Sequence, residues 1–277
     1  MIDPGAGGIE TSADLTVIDS DISNNSSGGA VSAIDSTGGA TTIIDSTISG
    51  NTANSADNGF PSDAPAVDLR GTSATISGTT ISNNLGLLPT AHGAGALLLD
   101  TPTATVTNST ISGNTVASPF DQEDPETGGV GAVVRSGTAR FVDDTISDNE
   151  GQLDPNTLQP TGPTIEAEGS LTLSGTIVSA PSLACSAPLA PSGGYNIVSD
   201  TTCGLTGTGD HQGTDALLGS LANNGGPTLT QLPGTGSAAI DAVPVGTAGL
   251  CDGTVATDQR GVTRPTGTAC DIGSVEQ

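Results

Sequence analysis

Thr47-Ile48-Ser49-Gly50-Asn51 is the stretch whose reading decides the fold. It recurs as Asp21-Ile22-Ser23-Asn24-Asn25, Thr80-Ile81-Ser82-Asn83-Asn84, Thr110-Ile111-Ser112-Gly113-Asn114 and Thr145-Ile146-Ser147-Asp148-Asn149. The five copies lie 26, 33, 30 and 35 residues apart, and a decayed sixth, Val178-Ser179-Ala180-Pro181, follows after 32 more. A period of this length marks stacked units rather than one globular core. Five residues before each isoleucine sits another apolar residue: Val17, Ile43, Ile76, Val106 and Phe141, with Leu173 before Val178. A polar pair such as Asp45-Ser46 or Asn108-Ser109 separates the two. Within Thr-Ile-Ser the side chains alternate, so isoleucine takes one face and the hydroxyls the other. An earlier apolar position in each unit (Ile9, Val31, Val67, Leu97, Val133, Ile165) predicts a third strand.

Three short strands per unit, with no helical periodicity, predict an all-β chain. The architecture expected is a right-handed parallel β-helix, a pectate-lyase-like solenoid of about six coils stacked about 4.8 Å apart. The twelve apolar positions of the two best-defined strands should point inward in two columns. Asn25, Asn51, Asn84, Asn114 and Asn149 should stack at one corner, where asparagine tolerates the left-handed backbone of a sharp bend. Thr47, Thr80, Thr110 and Thr145 should form an outward hydroxyl ladder.

Composition agrees with a solenoid. Only Phe60, Phe120, Phe141 and Tyr195 are aromatic among 277 residues, and there is no tryptophan. Columns of Val, Ile and Leu suffice for a β-helix, each side chain contributing about 1.5–3 kcal/mol when buried. Thirty acidic residues face five arginines and no lysine, a net charge of −25. That balance argues against nucleic acid or an anionic membrane as partner. No apolar run is long enough for a membrane-spanning helix, so membrane insertion is not expected. Met1–Leu15 has neither a basic start nor an apolar run, and the first coil begins at once, which predicts a leader or further coils upstream.

Insertions of variable length follow Asn51, Asn84, Asn114 and Asn149, crowding one edge of the solenoid. Insertions on one face often mark the binding face of a repeat protein. Their contents are polar and acidic: Asp57 and Asp63; His92; Asp121, Glu123, Asp124 and Glu126; Glu150 and Asp154. Carboxylates in such clusters suit Ca²⁺, and Asp121, Glu123, Asp124 and Glu126 are the calcium candidates. No fixed ligand spacing occurs among them, so no cofactor is otherwise expected.

The composition changes near residue 182, dividing the chain into repeats (1–182) and a C-terminal module (183–277). The module holds Cys185, Cys203, Cys251 and Cys270. Separations of 18 and 19 residues favour the pairs Cys185–Cys203 and Cys251–Cys270. Each closed loop contributes about 3 kcal/mol on the chain-entropy model. Disulfides imply export, hence an extracellular or cell-surface location.

Four runs in the module carry a resemblance. They are Asp215-Ala-Leu-Leu-Gly-Ser-Leu-Ala-Asn-Asn-Gly-Gly-Pro-Thr228, Leu232-Pro-Gly-Thr-Gly-Ser-Ala-Ala-Ile-Asp241, Thr257-Asp-Gln-Arg-Gly-Val-Thr-Arg-Pro265 and Ala269-Cys-Asp-Ile-Gly-Ser-Val-Glu276. Together they resemble the choice-of-anchor Q module, which closes bacterial and archaeal surface proteins built from right-handed β-helix repeats. The upstream Gly-Gly-Ala-Val with Ile-Ser-x-Asn is similar to polymorphic outer-membrane-protein-type repeats. The resemblance implies an extracellular β-helix without assigned catalysis. On physical grounds residues 183–277 should cover the last coil, because a bare solenoid end is an unpaired edge. Asp258, Arg260, Arg264 and Asp271 offer Arg–carboxylate forks to lock its loops.

Two other functions compete with a structural, adhesin-like role that includes an extracellular glycan or protein partner and self-association through the solenoid ends. The first is polysaccharide cleavage, which β-helices of the polygalacturonase and pectin lyase type perform. Hydrolysis needs a placed carboxylate pair, and Asp143-Asp144 is the nearest, but it reads as a polar bend equivalent to Asn108-Ser109. Ala91-His92-Gly93 lacks a following Arg-Ile-Lys, and neither Arg70 nor Arg135 is accompanied by an acidic triplet. The second is ice binding by the Thr-x-Ser ladder, whose regularity Asp21 and the serines spoil.

Overall fold

The computed structural model describes residues 7–29, 31–54, 64–87, 95–117, 130–151 and 162–277. Every described element is a strand, and every ladder between strands is parallel. The chain winds into a solenoid whose faces are continuous sheets.

One face is an eight-stranded sheet. It stacks Asp21–Ser23, Thr47–Ser49, Thr80–Ser82, Thr110–Ser112, Thr145–Ser147, Ile177–Ser179, Ile197–Val198 and His211–Gln212. The register aligns Ile22, Ile48, Ile81, Ile111, Ile146, Val178 and Val198 in one column. A second column aligns Val17, Ile43, Ile76, Val106, Phe141 and Leu173. Both expected columns are present. Their members are buried, except that Ile22 at the first winding is only partly so. Packing of β-branched side chains at a fixed step removes about 1.5–3 kcal/mol worth of apolar surface per residue from water.

The third column differs from expectation at two positions. It runs Ile9, Ile34, Val67, Leu97, Ala132, Ile165 and Cys185. Ile34 replaces Val31 because the strand begins three residues later. Ala132 replaces Val133 because the long strand Ala132–Val142 pairs Ala132 with Leu97. Alternation then turns Val133 to the other side of the sheet, against Leu98. A four-stranded sheet of Ser26–Ser27, Thr52–Asn54, Leu85–Leu87 and Thr115–Ala117 follows the asparagine corner.

The winding also continues past residue 182. Eight stacked strands replace the six coils read from the sequence, and the last two belong to residues assigned to the cap. Asn196 explains why: its Oδ1 accepts from Thr176 N at 3.0 Å, filling the same ladder position as Thr176 one winding earlier.

At the asparagine corner each side chain serves two neighbours. Asn51 Oδ1 accepts from Asn25 N and Nδ2, both at 2.9 Å, and Asn51 Nδ2 donates to Asn84 Oδ1 at 2.9 Å and to Ile22 O at 2.9 Å. The pattern repeats through Asn84, Asn114 and Asn149. The left-handed residue of the bend is not the ladder asparagine, however. It is the residue before it: Asn24, Gly50, Asn83, Gly113 and Asp148. The ladder position is selected for a buried carboxamide that satisfies backbone groups of adjacent windings. A second ladder at the preceding bend runs through Ser20, Ser46, Thr79, Ser109, Asp144, Thr176 and Asn196.

Cys185–Cys203 and Cys251–Cys270 are bonded, with Cα–Cα separations of 4.9 and 5.8 Å. Neither bond ties the segment after residue 214 to the solenoid.

Candidate functional site

The segment from Thr214 onward folds back along the side of the solenoid, on the face that presents the Thr-x-Ser hydroxyls. Thr80 Oγ1 donates to Leu229 O at 2.6 Å, and Thr110 Oγ1 donates to Gln259 Oε1 at 2.6 Å. Gln259 Nε2 donates to Thr80 Oγ1 at 3.0 Å and to Thr228 Oγ1 at 2.9 Å. Ser274 N donates to Thr145 Oγ1 at 3.1 Å, and Ser147 Oγ donates to Gln231 Oε1. Gln231 Nε2 reaches Asp148 Oδ2 at 3.1 Å. Thr80, Thr110 and Thr145 are therefore fully buried, and only Thr47, near the first winding, keeps partial exposure. The expected outward ladder is an internal docking rail. A flat row of hydroxyls at a constant step offers hydrogen bonds to any uncharged polar loop, and the chain's own module takes them. An apolar patch joins it, in which Ile177 and Ile197 of the solenoid pack with Ala239, Val243, Leu250 and Ile272.

Carboxyl groups lie at the centre of this interface. Asp143 stands at a left-handed bend, in register with Asn108, and is buried with its Oδ2 lacking a hydrogen bond. Burial pushes its pKa up to about 7, opposed by the Arg264 charge. Asp144 belongs to the second ladder, where its oxygens accept from Ser109 N at 2.8 Å and Val142 N at 2.9 Å. Complete burial holds its carboxyl well above the usual range. Arg264 enters from the module with its side chain fully buried. It pairs with Glu276 at 2.7 Å and donates to the carbonyls of Asp271 at 3.0 Å and Gly273 at 2.6 Å, and to Asn108 Oδ1 at 3.2 Å. The ion-pair partner of Arg264 is thus Glu276, not Asp271, because Asp271 is occupied by backbone donors at Asp241 and Gln277. Desolvation raises Asp271 to about 6. Asp258 and Arg260 do form the expected fork, with Nε and Nη2 both within 2.9 Å of Asp258 Oδ2. Asp143 and Asp144 thus form a buried polar bend beneath the module.

A family model of the right-handed β-helix region matches residues 5–202, well over half the chain. The chain belongs to the right-handed β-helix family. It matches no curated protein and no solved structure.

This β-helix keeps a different hydroxyl column in water. Thr16, Thr42, Thr75, Thr105, Arg140 and Thr172 share one register on the neighbouring sheet, and Thr16, Thr75, Thr105 and Arg140 are exposed. The same alternation that marks Thr-Ile-Ser marks Ser73-Ala-Thr75-Ile-Ser77 and Thr103-Ala-Thr105-Val-Thr107. Periodicity gives both columns equal standing; the module's choice of face separates them. Between the module and the solenoid runs a polar groove of about 310 Å³, lined by Asp45, Gly78, Asn108, Thr257, Gln259 and Arg260. At the first winding an apolar hollow of about 550 Å³ is lined by Ile9, Leu15, Val17, Ile18 and Ile22, with Ile18 half exposed.

Asp57, Asp63, His92, the calcium candidates Asp121, Glu123, Asp124 and Glu126, and Asp154 lie outside the described residues. Glu150 extends the small sheet through its backbone, accepting from Val116 N at 3.0 Å. Among the described residues no group of three His, Cys, Asp or Glu is placed to hold a metal, and no helix is long and apolar enough to cross a membrane. Arg70 forks onto Asp68 at 2.5–3.0 Å.

Proposed function

We propose that this β-helix is a non-catalytic, adhesin-like structural protein of the cell surface or extracellular space. The observation that carries the reading is the burial of Asp143 and Asp144 beneath the module, which removes that carboxylate pair from any polymer lying on the solenoid. Two disulfides support an oxidising compartment. The resemblance of residues 215–276 to the choice-of-anchor Q module supports a surface location; Asp258, Arg260, Arg264 and Glu276 of those runs pair within the module, and Arg264 reaches Asn108 of the solenoid. Variable insertions at the asparagine corner suit recognition of a glycan or protein, with calcium held by Asp121, Glu123, Asp124 and Glu126. Self-association belongs to the same reading: the hollow at the first winding offers apolar side chains and strand edges to a second copy. Salt screens the charge of −25 and should favour assembly, which light scattering across a salt series reads. Incubation with pectin, alginate and related polysaccharides tests the absence of catalysis. Intact polymers are expected, and release of oligosaccharides that grows with time overturns the proposal.

A second reading rests on the exposed threonine column. Hydroxyls and methyls repeat about 4.8 Å apart across a flat face, a net suited to ordered water or ice. Ice-crystal shaping by the native protein, lost in Thr75→Lys and Thr105→Lys, supports it; unshaped growth with the native protein removes it.

A further inference from the structure

We infer that the C-terminal module is a reversible cover over the Thr-x-Ser face, closed when the carboxyl cluster around Asp143 is protonated and released when that cluster ionises. The interface is built like one that opens. No disulfide crosses it. Beside the apolar patch, its hydrogen bonds join hydroxyls, carboxamides and backbone groups, which water serves when they separate. Mixed polar and apolar interfaces of modest size between parts of one chain permit relative motion.

The cluster supplies the control. Asp143 contributes from the solenoid, with Asp144 behind it in the ladder. Arg264 and Glu276 face it from the module, Asp271 lies beside them, and the Asp258–Arg260 pair backs Glu276 through Asp258 Oδ2, which accepts from Glu276 N at 2.9 Å. One guanidinium therefore meets four carboxyl groups in a volume closed to water. With Asp143, Asp144 and Asp271 protonated, the remaining charges are Arg264 and Glu276, and they cancel. Arg264 directs its terminal nitrogens at Glu276, Asn108 and two carbonyls, and neither its Nε nor Asp143 Oδ2 has a hydrogen-bond partner. An ionised Asp143 thus gains no hydrogen bond from the arginine and carries a desolvated charge.

The direction follows from linkage. Docking raises the Asp143 pKa to about 7, so the docked state holds its proton more tightly than the open state. Docking is favoured in acid and weakens as pH rises towards the docked pKa. For an open-state carboxyl of about 3.9, this one group lowers the docking equilibrium about a hundred-fold between about pH 5 and about pH 8.

Hydrogen exchange on the intact chain tests the cover. Gly273 N donates across the interface to Gly175 O at 2.7 Å, and Ser274 N donates to Thr145 Oγ1. Corrected for intrinsic rates, their protection should fall about a hundred-fold from about pH 5 to about pH 8. The solenoid amides of Thr80 and Thr110, bonded to Ser46 O and Thr79 O, should hold theirs. Asp143→Asn should flatten most of the change and keep the fold, since Asn108 occupies the same register one winding earlier. Equal protection at both pH values, a full response retained in Asp143→Asn, or parallel loss at Thr80 and Thr110 would overturn the inference.

Discussion

Thr110 donates its hydroxyl proton to Gln259, 149 residues away in sequence, at 2.6 Å. The residue that local alternation places on an open face therefore sits inside an intramolecular interface. Gln259 bridges two windings, since its Nε2 reaches Thr80 while its Oε1 receives Thr110. The face that carries the repeat is the face the C-terminal segment covers.

Gln259→Ala should loosen that cover without disturbing the windings beneath. It removes the shared partner of Thr80, Thr110 and Thr228 and leaves their buried hydroxyls short of a bond, at about 1–3 kcal/mol. Chemical denaturation followed by a probe in the module should report the loss, with solenoid probes unchanged. Equal destabilisation of both would show that the two parts unfold as one.

Asn84→Ala should be among the most damaging single changes in the solenoid. Asn84 Oδ1 accepts from Asn51 N and Nδ2, and its Nδ2 donates to Ile48 O and Asn114 Oδ1. Truncation takes partners from buried donors and acceptors on the two flanking windings, each lost bond costing about 1–3 kcal/mol. The thermal midpoint should fall far more than for Asn25→Ala, because Asn25 is part-exposed and has one ladder neighbour among the described residues. Similar losses for both would deny the ladder its cooperative role.

Thermal stability should also fall as pH rises from about 5 to about 8. Asp143 and Asp271 have folded pKa values raised to about 7 and about 6, so both protonated forms favour the native state. That contribution is full below the unfolded value and lost as pH climbs through the folded ones. For Asp143 it amounts to a few kcal/mol, on the order of 1.4 per pKa unit. Scanning calorimetry of the native chain and Asp143→Asn reads it directly. A midpoint that rises over this interval in the native chain would reverse the assigned sign.

The parts of the fold legible in sequence were those written into the period. The inward columns through Ile48 and Ile43 need only alternation and a constant step, and the asparagine stack needs only that step repeated. The cysteine pairing was legible because each pair lies close in sequence. What escaped had no periodic signal. Nothing local in Asp258-Gln259-Arg260 says that Gln259 reaches Thr80, 179 residues earlier. The choice between two equally regular threonine columns depends on that long-range docking alone. The continuation of the winding past residue 182 escaped because Asn196 and Asp210 hold ladder positions without the Ile-Ser-x-Asn frame. The left-handed residue was misplaced by one because a buried carboxamide and a tight bend both favour asparagine.

Thiol labelling of two threonine positions tests the covered face most directly, since all four native cysteines are disulfide-bonded and give no background. Thr105→Cys lies on the exposed column and Thr110→Cys beneath the module. At mildly acidic pH the cysteine at 105 should react with a soluble thiol reagent at once, and the one at 110 only on unfolding or release of the module. Equal, immediate labelling of both positions in the folded protein would contradict the account.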